Sequence, residues 1–417
     1  MTTQQICASV KNASIEFASM STDKKNKILK NLRSLILDEA SSILNANKTD
    51  LEQARERGRD EAFIDRLTLN LKRISQMADG VMKIISLPDP VREITCEKEL
   101  SNGLLLRKAR FPLGVIGIVF EARPSVAIDC AALCIKSGNG VVLRASREAK
   151  ASVNLLTGLV KEALENNFVS PNLCGNILSV DHSDTIQMLK LSDYIDVIIP
   201  RGGDKLKRLT FQEATMPVLA AAGGNCHMYI SESADEDMAI KVALDAKLDR
   251  PATCNALETL LLDRSLKSEF VQRILTRLQN AGVEIRGTAE VNDIFPLIII
   301  DRDEFYVEYE CEKIKVAFVS NVKEACSHII QYGNGHSEAI ITSNEEEADY
   351  FINNTDSAAV YINASTRFTD GFEFGLGAEM GISTQKIHAR GPIGLNELTI
   401  EKYIVRGSGQ TRGNVSR

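Results

Sequence analysis

The strongest constraint on the fold is a run of short apolar segments that alternate with helical stretches between residues 115 and 200. We predict strands at Val115–Phe120, Val141–Leu143, Ile177–Val180 and Tyr194–Ile199. Strands that are apolar on both faces belong to parallel sheets with helices on both sides. Because crossovers between parallel strands are right-handed, the pattern predicts a doubly wound, Rossmann-like α/β domain.

The rest of the chain adds a helical N-terminal region and a second α/β series. Residues 1–86 carry apolar side chains at helical spacing. Further strands are predicted at Leu257–Leu262, Leu297–Ile300, Val316–Val319, Ala339–Ile341 and Ala358–Ile362. The stretch Leu398–Arg406 alternates as a strand does, and we expect it to pair with another element or another subunit. With 417 residues, the chain is too long for one simple core, so we expect two domains.

Charge, hydropathy and cysteine content argue against several classes of protein. The formal net charge is −7, whereas nucleic-acid binders usually carry a basic face. No apolar run approaches the roughly 20 residues that span a bilayer, and the N-terminus lacks the basic and apolar parts of a signal peptide. The nine cysteines are odd in number and form no C-x-x-C pair, so we expect free thiols in a reducing cytoplasm and no metal site.

Cys254 is the cysteine whose position favours chemistry. It follows Pro251, which ends a helix, and precedes the strand predicted at Leu257, so it lies in a turn. A thiol in a turn can be exposed, and nearby backbone N–H groups can stabilise a thiolate and a developing oxyanion. A free cysteine at a strand edge is the alternative that the local sequence leaves open.

Two segments follow strand ends in the first α/β series, where doubly wound sheets bind ligands. Arg201-Gly202-Gly203 joins a strand to a helix, and its glycines would let the backbone approach a phosphate. Arg144-Ala145-Ser146-Arg147 follows another strand, and its arginines, together with Lys150, could contact the 2′-phosphate that distinguishes NADPH from NADH. An ordinary glycine turn and a solvated basic face would account for the two segments equally well.

A glycine-rich stretch near the C-terminus predicts irregular backbone over a site. It contains aromatic residues and five glycines: Gly375, Gly377, Gly381, Gly391 and Gly394. A surface loop is the alternative. His388, in the same stretch, would on its own more often be a structural histidine.

Several segments of the chain form one recognisable set. They are Phe111–Gly117 with Phe120–Pro124, Lys136–Asn139, Pro200–Gly203, Arg250–Thr259, Tyr332–Ala339 and Glu373–Gln385. In content and order they resemble the gamma-glutamyl phosphate reductases (glutamate-5-semialdehyde dehydrogenases), a branch of the aldehyde dehydrogenase superfamily. The resemblance covers nearly the whole chain, and the strings around Cys254 and Gly375 are specific to that branch.

The resemblance implies an aldehyde-dehydrogenase-like α/β fold. A Rossmann-like cofactor-binding domain would span residues 1–225, an α/β catalytic domain residues 226–360, and residues 361–417 would return to the cofactor domain. A small hairpin at residues 95–110 would pair with the C-terminal strand for oligomerisation, so we expect a homo-oligomer.

The resemblance also implies a step of L-proline biosynthesis. L-glutamyl 5-phosphate and NADPH would give glutamate 5-semialdehyde, phosphate and NADP⁺ through a thioacyl intermediate on Cys254. A glutamate 5-kinase would supply the unstable substrate and could associate with this cytoplasmic enzyme, which would have no nucleic-acid or membrane partner. The backbone N–H of Cys254 would stabilise the oxyanion, and the sequence shows no second donor.

Further site residues are carried over from motif position. Cofactor contacts are expected from Arg144, Ser146, Arg147, Arg201, Gly202, Gly203 and Glu308. Substrate contacts are expected from Arg123, Asn225, Arg367 and His388, because arginine in particular suits both carboxylate and phosphate. The chain departs from the usual pattern after Glu308, and at Ala145-Ser146, where this branch more often has two glycines.

One absence bears on the reaction type. Hydrolytic aldehyde dehydrogenases have a glutamate that activates water, but the matching segment here is Ala220-Ala221-Ala222-Gly223-Gly224-Asn225. This favours a reductase over an NAD-dependent hydrolytic aldehyde dehydrogenase. A non-enzymatic scaffold of the same fold is a further possibility, against which the intact Cys254 segment argues. An acyl-phosphate or acyl-CoA reductase with a different substrate also stays open.

Overall fold

The computed structural model describes residues 1–179 and 181–412, apart from the side chain of Asp204. The chain divides into two compact units. The first contains Met1–Ala220, Leu376–Met380 and the described part of Ile393–Arg417, and the second contains Ala221–Gly375 and Gly381–Pro392. The domain boundaries at residues 225 and 360 stay a prediction. Within the described ranges, no helix is long and apolar enough to cross a bilayer.

The first unit begins with a helical layer, as the periodicity of residues 1–86 predicts. Its helices are α1 (Thr3–Phe17), α2 (Thr22–Asp38), α3 (Ala40–Glu56), α4 (Glu61–Leu67) and α5 (Leu71–Ser86). The side chains of Thr2, Ser21, Asp60 and Asn70 cap four of them by accepting a backbone N–H. The apolar stripe of α2 is fully buried and packs against α5 and a later helix, which anchors the layer.

The first unit also contains a parallel four-stranded sheet with the order β5-β4-β3-β6. The strands of this unit are β1 (Ile94–Glu99), β2 (Leu105–Pro112), β3 (Val115–Phe120), β4 (Gly140–Ala145), β5 (Cys174–Asn176), β6 (Val197–Arg201) and β16 (Thr399–Arg406). The connecting helices are α6 (Val126–Lys136), α7 (Lys150–Glu165), α8 (His182–Leu189) and α9 (Asp204–Glu213). The predicted doubly wound domain is therefore confirmed.

The strand predicted at Ile177–Val180 is wrong in position. The residues that pair with β4 are Cys174 to Asn176, and Val180 lies outside the described residues. The apolar pattern missed β5 because its residues are small or polar. A β-carbon on Gly175 would lie 2.8 Å from side-chain carbons of Ile6 and Val10, so the small residue is what lets α1 cover the strand.

A separate antiparallel sheet contains the hairpin and the end of the chain. β1 pairs with β2, and β2 pairs with β16, with Pro112 opposite Thr399 and Leu105 opposite Arg406. The pairing of the hairpin with the C-terminal strand, which the resemblance implied, is therefore present. Its role in oligomerisation stays a prediction.

The second unit is built on a parallel seven-stranded sheet with the order β10-β9-β11-β8-β7-β12-β13. These strands are β7 (Cys226–Ile230), β8 (Leu257–Asp263), β9 (Glu284–Gly287), β10 (Ile298–Ile299), β11 (Lys313–Val319), β12 (Ser337–Ile341) and β13 (Ala359–Ile362), and the two-residue strands β14 (Ile382–Ser383) and β15 (Gly391–Pro392) pair apart from them. The helices are α10 (Glu236–Leu248), α11 (Ser268–Asn280), α12 (Ala289–Asn292), α13 (Val322–Tyr332) and α14 (Glu345–Asn354).

The apolar pattern of the sequence did not predict β7 and β9. Every residue of β7 is buried, yet the strand opens with Cys226 and His227 and so lacks a continuous apolar run. β9 is short, and it carries Glu284 and Arg286. Both strands owe their place to neighbours on either side of them in the sheet, which local sequence does not display.

Candidate active site

Cys254 lies in a tight turn between α10 and β8. Arg250 enters the turn with a left-handed φ of 58°. The N–H of Thr253 donates to the carbonyl of Arg250 at 3.1 Å, and the N–H of Ala256 donates to the carbonyl of Thr253 at 2.9 Å. Cys254 itself is half-buried. The turn therefore offers a partly accessible thiol on a backbone that hydrogen bonds hold in place.

The remaining cysteines are less suited to nucleophilic attack. Six of them are buried. Burial raises the pKa of Cys7 to about 11 and the pKa values of Cys130 and Cys174 to about 12, so these thiols stay protonated. Cys96 is exposed on β1 and Cys311 is half-buried, but neither lies in a turn that belongs to the matched segments.

The segment that leads into β7 packs against the carbonyl group of Cys254. The thiol of Cys226 donates to this oxygen at 3.2 Å. A β-carbon built on Gly224 would overlap the same oxygen, so the close approach requires glycine. The sequence marked Gly223-Gly224 only as part of a segment that lacks a glutamate, and it gave no sign that Gly224 and Cys226 are neighbours of the nucleophile.

Glu308 lies against the same segment. One of its carboxylate oxygens accepts the N–H of Gly224 at 2.7 Å. Glu308, which is predicted to hold the nicotinamide ribose, thus bonds to Gly224, and Gly224 packs against the carbonyl of Cys254. The unusual Tyr309 that follows is held by Glu258, whose carboxylate accepts its N–H at 2.8 Å. Tyr309, where the chain departs from the family pattern, is therefore held in place by a buried residue of the second unit.

Asn225 is 2% exposed, and its side chain bonds to protein groups. The Nδ2 atom donates to the carbonyls of Phe305 and Tyr332, each at 2.7 Å, and the Oδ1 atom accepts from Lys315 at 2.7 Å. Burial lowers the pKa of the Lys315 amine to about 8. In this arrangement the amide of Asn225 ties the glycine segment to the core, and its predicted contact with substrate stays a prediction.

Arg367 lies beside the nucleophile turn. Its Nε donates to the carbonyl of Asp249 at 2.5 Å, and its Nη2 lies 3.2 Å from the carboxylate of Asp249. Its Nη1 donates to the side chain of Asn255, the residue after Cys254. The structure therefore brings Arg367, Asn225 and Glu308 into one group with Cys254.

The two remaining substrate candidates are exposed side chains. His388 lies in the loop between β14 and β15, where Lys386 and Arg390 both pair with Asp356. The N–H of Ala222 donates to the carbonyl of Ile382 at 2.9 Å, so this hairpin is attached next to the glycine segment. Arg123 belongs to the first unit, between β3 and α6.

A cavity of about 910 Å³ in the first unit contains three of the predicted cofactor residues: Arg144, Ser146 and Arg147. It is also lined by four basic residues that the sequence patterns did not indicate: Arg57, Arg59, Lys205 and Arg208. These come from separate helices and loops, so no local motif marks them. The lining carboxylates are those of Glu121 and Glu148, and Glu148 is paired with Arg59 at 2.5 Å. The cavity is therefore suited to an anionic ligand.

Arg144 is the most buried cation of this cavity, with 8% of its surface exposed. Its Nη1 donates to the carbonyl of Ala145 at 2.8 Å and its Nη2 to that of Asp181 at 3.3 Å, whereas its Nε has no partner among the described residues. In the part of the chain that is described, no carboxylate lies within ion-pair distance of it. Asp184 and Glu148 act on its charge from beyond that distance, so a bound anion would be a closer counter-ion than either carboxylate.

The glycine turn after β6 lies at the start of α9, close to Lys205 and Leu206 of the cavity lining. The N–H of Gly203 donates to the carboxylate of Glu121 at 3.1 Å. A β-carbon on Gly202 would lie 2.6 Å from the same carboxylate. A phosphate bound at Arg201-Gly202-Gly203 would thus have to displace Glu121.

Three histidines in the second unit are held neutral by their surroundings. Burial lowers the pKa values of His227 and His328 to about 3 and that of His336 to about 4. The unfolded chain binds protons at these side chains near pH 6.5, so it takes up protons that the folded chain refuses. The stability associated with neutral histidines is therefore complete above pH 6.5 and is lost as the pH falls toward 4.

We expect the variant His328→Phe to weaken this acid sensitivity. The ring packs edge-to-face against Phe305 and at a tilt against Tyr332, at centroid distances of 5.0 and 4.5 Å, so phenylalanine fits the contacts. The slope of the unfolding free energy against pH should fall by one proton, about 1.4 kcal/mol per pH unit near pH 5. Urea unfolding followed by circular dichroism measures it, since the chain has no tryptophan. Equal slopes near pH 5, or slopes that differ above pH 7.5, would contradict the assignment.

Comparisons with known proteins identify the family of the chain. The family model described as the aldehyde dehydrogenase family matches residues 1–310. The gamma-glutamyl phosphate reductase of Carboxydothermus hydrogenoformans is 45% identical over 404 residues, which cover 97% of each chain. The chain belongs to the gamma-glutamyl phosphate reductase family. The resemblance seen in the sequence is thereby confirmed, and with it the assignment to the oxidoreductases.

Solved structures support the same family and fold. The crystal structure of the gamma-glutamyl phosphate reductase of Thermotoga maritima has a TM-score of 0.97 and 40% identity, covering 99% of this chain and 100% of that one. An acetylating aldehyde dehydrogenase of Geobacillus thermoglucosidasius, 15% identical, has a TM-score of 0.70 over 99% and 98% of the two chains. The first similarity supports membership of the gamma-glutamyl phosphate reductase family. The second supports the aldehyde-dehydrogenase fold alone.

Proposed function

We propose that this chain reduces L-glutamyl 5-phosphate with NADPH to L-glutamate 5-semialdehyde and phosphate, as a step of L-proline biosynthesis. The observation that carries the proposal is Cys254, held half-buried in a turn by Gly224 and Cys226, in a chain of the gamma-glutamyl phosphate reductase family. The family indicates the substrate class, and the half-buried thiol in the turn indicates nucleophilic catalysis.

Cys254 would carry the acyl group. Its thiolate adds to the acyl carbon of the substrate, phosphate leaves, and a thioester remains on the sulfur. Phosphate is a good leaving group, so this step needs little acid assistance. Bound NADPH would supply the hydride that reduces the thioester. The resulting hemithioacetal collapses to the aldehyde and frees the thiolate of Cys254.

The segment Ala220-Ala221-Ala222 supports reduction over hydrolysis. No carboxylate occurs there to activate water against the thioester. A thioester that is to react with hydride or phosphate has to be protected from water. The alternative, an NAD-dependent hydrolytic aldehyde dehydrogenase, would require a general base at that place.

The cavity of the first unit fits NADPH. Its volume of about 910 Å³ is within the range of cofactor pockets, and the charged residues of its lining are mostly basic. We propose that Arg144 and Arg147 hold the 2′-phosphate, with Ser146 beside them. Arg201, Gly202 and Gly203 would contact the pyrophosphate after Glu121 moves, and Glu308 would hold the nicotinamide ribose.

Arg144→Leu is expected to reduce affinity for the 2′-phosphate. Hydrogen bonds to charged groups contribute about 1.5–3 kcal/mol, so the dissociation constant of 2′,5′-ADP should rise by roughly 10–150-fold. The dissociation constant of 5′-AMP, which lacks that phosphate, should stay within about threefold. Isothermal titration calorimetry measures both without turnover. An equal loss for the two ligands would mean that Arg144 only maintains the cavity.

For the substrate we propose contacts from Arg123, Arg367 and His388. Arginine can bind a carboxylate or phosphate through two parallel hydrogen bonds. For Asn225, whose amide bonds to backbone carbonyls and Lys315, we propose a positioning role beside any contact with substrate. Alanine variants test each residue: a contact residue should raise the KM for glutamyl phosphate selectively, and unchanged kinetics would remove it from the set.

The cellular setting follows from the chemistry. Acyl phosphates hydrolyse in water, so a kinase that forms L-glutamyl 5-phosphate has to supply it nearby, and association with a glutamate 5-kinase is part of the proposal. We also propose a cytoplasmic homo-oligomer, with the sheet of β1, β2 and β16 as the contact between subunits.

The decisive experiment measures NADP⁺ reduction by the purified protein with glutamate 5-semialdehyde, with and without inorganic phosphate. Turnover that depends on phosphate is expected, because the reverse reaction forms the acyl phosphate. Turnover without phosphate would show that water accepts the acyl group and that the enzyme is a hydrolytic aldehyde dehydrogenase. Absence of turnover from folded protein in both conditions would favour a different acyl substrate or a non-enzymatic scaffold.

A further inference from the structure

Asn255, the residue after the nucleophile, is 3% exposed, and nearly all of its polar groups are paired. Its Nδ2 donates to the carbonyls of Arg367 at 3.1 Å and Thr369 at 2.9 Å. Its Oδ1 accepts from the hydroxyl of Thr253 at 2.9 Å and from Arg367. Its carbonyl accepts the hydroxyl of Thr366 at 2.7 Å. The exception is the peptide N–H, which has no acceptor among the residues that the structure describes.

The direction of this N–H follows from the peptide that joins Cys254 to Asn255. The carbonyl oxygen of Cys254 accepts from the thiol of Cys226 and occupies the place that a β-carbon on Gly224 would take. In a trans peptide the C=O and N–H bonds point in opposite directions. The N–H of Asn255 therefore points away from the β7 segment, and a buried N–H without an acceptor requires an explanation.

We propose that the peptide N–H of Asn255 is the second oxyanion donor of this enzyme, acting beside that of Cys254. The inference rests on the proposed function, in which Cys254 forms a thioester. Successive backbone N–H groups form a small anion-binding concavity, which suits one oxygen bonded to a carbon on the intervening sulfur. Neither donor requires a side chain, which explains why no sequence motif displays the second one.

The donor acts at a defined step. When the sulfur of Cys254 bonds to the acyl carbon, the π-electron pair of the C=O bond moves onto oxygen, and the two N–H groups stabilise that charge. The carbonyl then re-forms, the bond from carbon to the bridging oxygen breaks, and phosphate leaves with that electron pair. The same donors stabilise the oxyanion formed when the thioester is reduced.

Cys226 is, in this proposal, a positioning residue that fixes the orientation of the peptide. Its sulfur lies 3.9 Å from Nδ1 of His336, which lies 2.9 Å from the hydroxyl of Ser337. The hydroxyl of Ser337 lies 2.6 Å from that of Thr369, whose carbonyl accepts from Asn255. These contacts lead from Cys226 back to Asn255. The orientation of the peptide between Cys254 and Asn255 is therefore set before substrate binds.

The direct test replaces the N–H of Asn255 by oxygen, through translation with the α-hydroxy analogue of asparagine at position 255. The kcat/KM for phosphate-dependent oxidation of glutamate 5-semialdehyde should fall by about 10²–10³-fold, the usual effect of removing one oxyanion donor. The rate of Cys254 alkylation by iodoacetamide should change by less than about threefold, because alkylation forms no oxyanion. Wild-type kcat/KM in the analogue would overturn the proposal, as would an equal fall in both rates.

A second experiment uses variants of Cys226 and leaves the side chains of the turn unchanged. It tests the proposal even if the analogue at position 255 does not fold. Cys226→Ala removes the donor to the carbonyl and should lower kcat/KM by roughly tenfold, Cys226→Ser should restore most of it, and alkylation should stay unchanged in both. No recovery in serine, or parallel losses of alkylation, would overturn the proposal. A wild-type enzyme without turnover would instead contradict the proposed function, so the two failures are distinguishable.

Discussion

Cys254→Ala is expected to abolish phosphate-dependent reduction of NADP⁺, with kcat lowered by about 10⁴-fold or more. Alanine cannot form the thioester through which the proposed reaction passes. Initial rates with glutamate 5-semialdehyde and saturating phosphate measure the effect. Binding of 2′,5′-ADP should be unchanged, because the cavity proposed to bind the cofactor lies in the first unit.

Cys311→Ala is the matched control for this prediction. Cys311 is half-buried, as Cys254 is, and it lies in the second unit. The control should keep at least about half of the wild-type rate, since surface substitutions away from a site usually have small effects. If Cys254→Ala kept a tenth of the activity, or if Cys311→Ala lost it, the assignment of the nucleophile would be wrong.

Gly224→Ala is expected to remove activity and also to destabilise the second unit. The added β-carbon overlaps the carbonyl oxygen of Cys254, which is backbone and cannot rotate away as a side chain would. Relief requires the nucleophile turn or the β7 segment to shift, and such overpacking costs about 3 kcal/mol or more. The hydrogen bond from Gly224 to Glu308 would shift with it. Steady-state kinetics and thermal unfolding followed by circular dichroism measure the two effects.

Gly158→Ala tests whether a glycine-to-alanine change is harmful in itself. Gly158 lies inside α7, and within the described residues no atom outside its own helix backbone lies within 4 Å of an added β-carbon. Alanine favours the helix by about 1 kcal/mol, so this variant should be slightly more stable and fully active. A Gly224→Ala protein with wild-type activity and melting temperature would show that the turn is not as closely packed as the structure has it.

The sequence predicted Cys254 as the nucleophile from its turn between a helix and a strand, which is a local feature, and from the family resemblance of the surrounding motifs. The residues that surround it, in contrast, come from separate parts of the sequence. Gly224, Cys226 and Asn255 are up to about thirty positions apart along the chain, yet all contact the same turn. Only the parallel neighbours β7 and β8 bring them together, since strand pairing joins segments that sequence spacing does not relate.

The residues predicted to bind the cofactor show the same division. Arg144 and Arg147 could be named because they follow a strand end, where doubly wound sheets bind ligands. Arg57 and Arg59 lie between the third and fourth helices, where nothing in the local pattern suggests a ligand site. Their part in the cavity depends on how the helical layer covers the sheet.

The sequence by itself determined the fold class and the family, and it predicted the nucleophile, because apolar periodicity and short motifs are properties of neighbouring residues. It could not assign β5, since small residues that let α1 approach do not look like a buried strand. The tertiary structure decided which polar groups are hydrogen-bonded within the protein and which have no hydrogen-bond partner among the described residues. The amide of Asn225 is bonded within the protein, whereas the N–H of Asn255 has no acceptor in the described ranges, and such pairing depends on distances between remote segments that only the folded chain sets.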